Sequence, residues 1–187
     1  MSIRAIETKY RGYNFRSRLE ARWAVFFDSM NVHWEYEPEG FVLPSGGYLP
    51  DFYLPDNRLW IEIKPDRHDP KAYSKAKEFR DYCEQAIYVA VGDPMNQKGT
   101  LFCWDQTDGS WGTSDWQGAY LLPSRADGEY FFIVGGLERW ISLYSNAELN
   151  QSILTTWETS GDRDMWNYAA GKARGARFEH GQCGAVA

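Results

Sequence analysis

Phe15, Leu19, Trp23, Phe26 and Met30 recur at steps of four, four, three and four, the apolar stripe of an amphipathic helix. That stripe predicts a helix over 16–31. His33 to Glu37 alternates as a short strand and is followed by a turn at Pro38-Glu39-Gly40. Two further strands are expected over 47–54 and 58–64, joined by the tight-turn cluster Pro55-Asp56-Asn57. In the second of them, side-chain alternation puts Leu59, Ile61 and Ile63 on one face and Trp60, Glu62 and Lys64 on the other. The apolar face anchors the strand and leaves the charged face for chemistry. Pro65 ends it. Asp69 then offers an N-cap with Pro70 at the first helical position, predicting a helix over 70–84. The unbroken apolar run Ala86 to Val91 reads as a buried strand. Helix, three strands, helix and strand are thus complete by residue 91.

Beyond Gly92 the pattern weakens. Aromatic segments at 100–104, 116–122 and 130–134 are separated by Asp108-Gly109, Ser110-Trp111-Gly112 and Asp127-Gly128, which predicts a β-meander or an elaborated loop region. Helices are expected over 147–156 and 164–174. The chain therefore divides into a core over 1–92 with a basic N-terminal segment, and an aromatic, acidic elaboration over 93–187. The elaboration ends in a basic helix or tail and is expected to pack on the core.

A composition 43% hydrophobic and 25% charged excludes a disordered chain. No apolar run approaches the roughly 18 residues that span a bilayer, and the start Met-Ser-Ile-Arg-Ala-Ile-Glu has no signal-like segment. A soluble, cytoplasmic protein with no membrane partner is expected. Cys83, Cys103 and Cys183 are widely spaced and form no C-x-x-C pair, so they read as reduced thiols. The net charge of -6 runs against the basic footprint of a nucleic-acid protein, yet the charge is unevenly spread. Residues 1–22 carry six basic and two acidic side chains, residues 171–187 three and one, and residues 92–170 four and eleven. Basic ends around an acidic middle suit a phosphate backbone bound on one face only, or ordinary solvated surface.

Asp51, Glu62 and Lys64 stand at the ends of the 50–64 strand pair. Two close carboxylates suit a hard divalent cation with oxygen ligands and exchangeable waters, Mg²⁺ or Mn²⁺. Such an ion polarises a phosphoryl oxygen and acidifies water, while Lys64 orients that water or stabilises transition-state charge. The competing reading is a solvent-facing strand whose Glu/Lys pair is worth little. Glu20 also has two readings. Ser17 and Glu20 have the spacing of a capping box, with Arg16 four residues earlier as an ordinary ion-pair partner; alternatively, Glu20 turns toward the metal.

A helix bearing a glutamate, then Pro50-Asp51, then Glu62-Ile63-Lys64 at the end of the next strand resembles the PD-(D/E)XK nuclease superfamily. The resemblance covers about residues 14–91. It is most similar to small nucleases of bacteriophages and bacteria, which share the phrases F-R-S-R-L-E-A-R-W (Phe15 to Trp23) and Y-E-P-E-G-F (Tyr36 to Phe41). The closing Ala-Arg-Phe-Glu-His-Gly of 176–181 is also similar to the C-termini of such proteins. The resemblance implies an α/β fold with the restriction-endonuclease-like αβββαβ core, a mixed sheet flanked by helices, and a C-terminal β-rich and helical elaboration. It implies a Mg²⁺- or Mn²⁺-dependent DNA endonuclease, acting in a bacterial or phage-infected cell. Asp51 and Glu62 would be metal ligands, the Ile63 carbonyl a further ligand, Glu20 the holder of a metal-bound water, and Lys64 the catalytic cation.

Arg16, Arg18, Lys71, Lys75, Lys77 and Arg80 flank this site and are candidate phosphate contacts; each is alternatively a solvated helix residue. Lys172, Arg174 and Arg177 form either a DNA-contacting tail or a polar terminus. Trp104, Trp111 and Trp116 either stack on unpaired bases or pack across strands. His33, His68 and His180 have no metal spacing. The expected activity is phosphodiester hydrolysis in DNA. Within the nuclease class, a structure-specific resolvase, working as a homodimer, or an exonuclease is an alternative. Outside it, the alternative is a non-catalytic protein- or DNA-binding module on the same fold.

Overall fold

The computed structural model describes residues 5–66, 69–96, 98–107, 110–126, 129–136, 139–142, 148–149 and 162–178, with side chains described over 5–66, 69–96, 99–103 and 164–178. It is a mixed α/β protein in which helices cover both faces of a mixed sheet. After a hairpin of β1 (Thr8–Tyr10) and β2 (Tyr13–Phe15) comes α1, Arg18–Ser29. Ser17 caps α1, its side chain accepting from the Glu20 amide at 3.2 Å. The stripe behaves as its spacing predicts: Phe15, Trp23, Phe26 and Met30 are fully buried, and Leu19 packs against them. Each such burial removes a large apolar surface from water and contributes roughly 1.5–3 kcal/mol.

The strand expected at 33–37 is shorter, β3 being Glu35–Tyr36. The strand expected over 47–54 is corrected. Residues 46–48 form β5 and pair with β4 (Phe41–Leu43) in a separate small hairpin, while β6 is Phe52–Leu54. Pro50 lies between β5 and β6, and a residue with no N–H cannot carry a ladder through. The turn at Pro55–Asn57 is a single 3₁₀ turn ending on Arg58 in the left-handed region (φ 48°). β7 (Leu59–Lys64), α2 (Pro70–Cys83) and β8 (Ala86–Val91) follow where the pattern places them. Asp69 caps α2, accepting from the Ala72 amide at 3.1 Å. β7 and β8 run parallel, joined through α2, as a crossover requires.

The large sheet has the order β13-β12-β11-β10-β9-β8-β7-β6-β3, with β9 Lys98–Thr107, β10 Ser110–Ala126, β11 Glu129–Gly136, β12 Arg139–Ser142 and β13 Glu148–Leu149. The meander strands are longer than their aromatic segments, and the separator expected at Ser110-Trp111-Gly112 is corrected: these residues pair with Thr107, Gln106 and Asp105 within β10. The helix expected over 147–156 is corrected in part: Glu148 and Leu149 pair as a strand with Ile141 and Trp140, and 147 and 150–156 lie outside the described residues. Because β9 pairs with β8, the sheet continues through the expected boundary at Gly92.

Alternation along the central strands sorts two cores. Leu59, Ile61, Ile63, Tyr88, Ala90 and Leu101 face α1, whereas Trp60, Ile87, Val89 and Phe102 face α2 with Ala76 and Phe79. A last helix, α3 (Asp162–Gly175), closes the first core. Its Trp166 is fully buried with its ring 4.5 Å from that of Phe26. Among the described residues no helix is long and apolar enough to cross a membrane.

Candidate active site

The site lies where β7 outruns β6. The β6–β7 ladder ends at Phe52↔Ile61, while β7 stays paired with β8 to Lys64↔Val91. The last residues of β7 therefore have a free edge on one side. Asp51 fills it, its Oδ2 accepting from the Ile63 amide at 2.6 Å. Continuing the register one step places Asp51 opposite Glu62, a separation of roughly 4.5–5.5 Å between Cβ atoms in a regular ladder. The N–H and C=O of a strand residue leave by the same edge, so the Ile63 carbonyl projects on Asp51's side. The Lys64 carbonyl leaves on the other, accepting from the Gly92 amide at 2.8 Å.

Asp51 and Glu62 are only 3% and 5% exposed, so β7 is covered on both faces and its charged side is not an open surface. Glu62 Oε1 lies 2.5 Å from Lys64 Nζ, and its Oε2 accepts from the Tyr48 hydroxyl at 3.2 Å. Asp51 Oδ1 accepts from the Arg16 guanidinium at 2.6 Å. Arg16 Nε also approaches Glu37 Oε1 at 2.6 Å, a charge contact rather than an aligned hydrogen bond.

Glu20 follows the capping reading of the sequence, with a change of partner. It takes part in the cap, and its Oε1 accepts from Ser17 Oγ at 2.7 Å. Instead of reaching the Ser17 amide, however, its Oε2 accepts from the Tyr36 hydroxyl at 2.6 Å and from the Arg16 amide at 3.1 Å. Its charge is still felt at Asp51.

The electrostatics follow from crowding acids in a dry place. Burial, then Glu62 and Glu20, push the Asp51 carboxyl up to about 8, against the Ile63 N–H and Arg16, which favour its ionised form. Burial and the unpaired share of negative charge win. Burial disfavours the Lys64 cation, but Glu62, with help from Asp51 and Asp69, holds its pKa above that of an ordinary lysine. Lys64 is thus held in its protonated form by its acidic neighbours. Arg16 is raised likewise: burial opposes its charge, and Asp51, Tyr36, Glu37 and Glu20 outweigh it. The Tyr36 and Tyr48 phenols lie well above the usual range, through burial first and then Glu20 and Glu62 respectively.

A cleft of about 610 Å³ opens onto this cluster between the β4–β5 hairpin and the start of α2; Arg16, Glu62, Lys64, Lys71 and Lys75 are among its lining residues. The other candidate cations separate. Arg18, Lys71 and Lys77 are exposed. Lys75 Nζ donates to the Gly46 and Gly47 carbonyls at 3.0 and 3.3 Å, so it ties down the hairpin. Arg80 is corrected as a phosphate contact: it is 1% exposed, bonds Asp81 at 2.8 Å and lies over the Phe102 ring. On α3, Lys172 covers the Tyr168 ring and Arg174 lies 3.9 Å from Asp93. Arg177 is exposed. The side chains of Trp104, Trp111 and Trp116, together with His68, His180 and Cys183, lie outside the described residues. His33 is exposed.

Sequence reasoning missed Tyr36, Tyr48 and the use of Arg16 as a counter-ion to Asp51. The one available signal was Tyr36 at the head of the Y-E-P-E-G-F phrase. Neither any protein-family model nor any curated protein sequence matches the chain.

The donor set fits a divalent metal in its chemistry but not as a closed cage. Among the described residues no three His, Cys, Asp or Glu side chains are gathered closely enough to hold one as they stand; Glu20 is held back by Ser17 and Tyr36. The donors that do converge, two carboxylates and a strand carbonyl, are hard oxygens of the kind Mg²⁺ or Mn²⁺ takes with several retained waters. Burial and the charges of Glu62 and Glu20 raise the Asp51 carboxyl, and a cation would relieve that crowding.

Proposed function

We propose that this protein is a Mg²⁺- or Mn²⁺-dependent deoxyribonuclease of the PD-(D/E)XK type. The observation that carries the reading is the joint arrangement at the end of β7: Asp51 bonded to the Ile63 amide beside the Glu62–Lys64 pair. The order α1, β3, β6, β7, α2, β8 agrees with the core of that type. Asp51, Glu62 and the Ile63 carbonyl would hold the ion, with Glu20 holding a water. When bound, the ion supplies Lewis-acid stabilisation of the phosphoryl oxygens and lowers the pKa of water. Lys64, kept protonated by Glu62, stabilises the charge that develops at the phosphorus centre. Arg16, whose side chain is 54% exposed, is able to leave Asp51 for a substrate phosphate, and Lys71 on the cleft wall adds a second contact.

One observation favours a second reading. Arg16 neutralises Asp51 directly, as it would in a binding module that has given up catalysis. Labelled linear, nicked, branched and single-stranded DNA incubated with Mg²⁺ or Mn²⁺ separates the two. The nuclease cuts at least one of these and Asp51→Ala cuts none. A parent protein that leaves all four intact overturns the nuclease reading, and calorimetry showing no Asp51-dependent Mn²⁺ uptake then favours the binding module.

A further inference from the structure

We propose that Tyr48 is a positioning residue that fixes the carboxylate of Glu62, making the β4–β5 hairpin part of the metal site; the inference rests on the metal-dependent reading above. The two oxygens of Glu62 are held from two directions. Lys64, two residues along the same strand face, takes Oε1 at 2.5 Å, and the Tyr48 phenol, from a different element, takes Oε2 at 3.2 Å. A glutamate has three side-chain torsions, and a single ion pair to a neighbour on its own strand leaves the carboxylate plane free to turn. The second donor removes that freedom.

The phenol can act as a fixed point because its hairpin is anchored to α2. The Tyr48 ring meets Phe79 of α2 edge-on at 5.6 Å. Glu78 accepts from the Ser45 amide at 2.9 Å and from the Ser45 hydroxyl. Lys75 holds the Gly46 and Gly47 carbonyls at the hairpin tip. Outer partners that orient ligands in this way commonly change metal affinity by 10–100-fold when removed. Tyr48→Phe deletes the donor and keeps the ring that packs on Phe79. Without the phenol, Glu62 swings onto Lys64 alone and its second oxygen leaves the ligand position.

The test is Mn²⁺ binding by electron paramagnetic resonance, with thermal melting and cleavage run beside it. Tyr48→Phe is expected to melt with the parent, to bind Mn²⁺ about tenfold more weakly, and to recover cleavage as Mn²⁺ is raised to saturation. Glu78→Ala, which frees the hairpin from α2, is expected to weaken Mn²⁺ in the same direction by less. If the parent binds Mn²⁺ and Tyr48→Phe binds it equally well, the role of Tyr48 is overturned and the metal site stands. If the parent takes up no Mn²⁺, the metal-dependent reading falls and this inference with it.

Discussion

Asp51 ties the stability of the metal-free protein to pH in an unusual direction. An aspartate ordinarily titrates near 3.8, and burial beside Glu62 and Glu20 moves Asp51 to about 8 in the folded chain. The folded state therefore binds a proton that the unfolded state releases. Between about pH 4 and pH 8 this costs stability as pH rises, at roughly 1.4 kcal/mol per unit. The contribution is fully present below about pH 4 and gone above about pH 8, a span on the order of 5 kcal/mol, which local relaxation and water entry reduce. Urea unfolding in EDTA at pH 5, 6, 7 and 8 isolates the effect by difference. Asp51→Asn keeps an acceptor for the Ile63 amide and has no proton to lose, so relative to the parent it gains stability steadily across this window. On the metal-dependent reading proposed above, a divalent ion is expected to reverse the picture by taking the place of the proton. At 100 times its dissociation constant, Mn²⁺ stabilises the parent by about 2.7 kcal/mol. Its affinity weakens about tenfold for each unit of pH below about 8, as competition with one proton requires. Parallel pH profiles for parent and Asp51→Asn refute the charge-crowding reasoning, and equal Mn²⁺ stabilisation of both refutes Asp51 as a ligand.

Three further outcomes test separate parts of the structure. Lys64→Ala is expected to keep Mn²⁺ binding while cleavage falls by about 10²–10³-fold; a variant that cuts like the parent removes Lys64 from the chemistry. Trp166→Ala empties the α1–α3 contact, with an expected loss of about 3–5 kcal/mol and a melting temperature lower by about 6–20 °C; an unchanged melting curve shows that α3 does not close the core. At Gly99 an added Cβ meets the Val89 carbonyl oxygen and the Tyr88 ring at 2.5 Å, so Gly99→Ala is expected to destabilise by about 1–3 kcal/mol. Tyr88→Ala relieves only part of this, because the carbonyl contact remains, and full rescue in the double variant contradicts the β8–β9 geometry.

What was legible in the sequence was local. The alternation of β7, the helical stripe of α1, the Ser17 and Asp69 caps and the apolar run of β8 each depend on residues a few positions apart, and each appears where the pattern puts it. Asp51, Glu62 and Lys64 converge for the same reason, being the two ends of one ladder. The β4–β5 hairpin was hidden because Gly47 to Leu54 reads as a single strand until the absent N–H of Pro50 is taken into account. Arg80 looks like any solvated lysine or arginine of a helix, yet it is buried with its guanidinium over Phe102 of β9, a contact from a distant part of the chain. Tyr48 and Arg16 owe their roles to partners 14 and 35 residues away, and spacing along the chain carries no trace of such contacts. At Glu20 the local signal was the one realised: Ser17, three residues away, holds one carboxylate oxygen, while Tyr36, sixteen residues away, takes the other.

The proline before Asp51 explains why a site forms at this point of the sheet. Residues 59 and 61 of β7 pair with 54 and 52 of β6, and the next position in that series would set Pro50 against Ile63. An ordinary residue there would exchange two hydrogen bonds with Ile63 and extend the ladder. Pro50 has no amide hydrogen to give to the Ile63 carbonyl, and the Ile63 amide is taken by the Asp51 side chain in place of a backbone oxygen. One missing donor thus draws a carboxylate into the sheet edge and spares a carbonyl beside it. Glu62, on the adjoining residue, completes a set of crowded oxygens, and burial with Glu62 and Glu20 raises the Asp51 carboxyl well above an ordinary aspartate despite Arg16. In a chain with net charge -6, the cleft is thus lined by the cations of Arg16, Lys64 and Lys71 together with Glu62 and Asp69, while Asp51 and Glu20 are buried beside it.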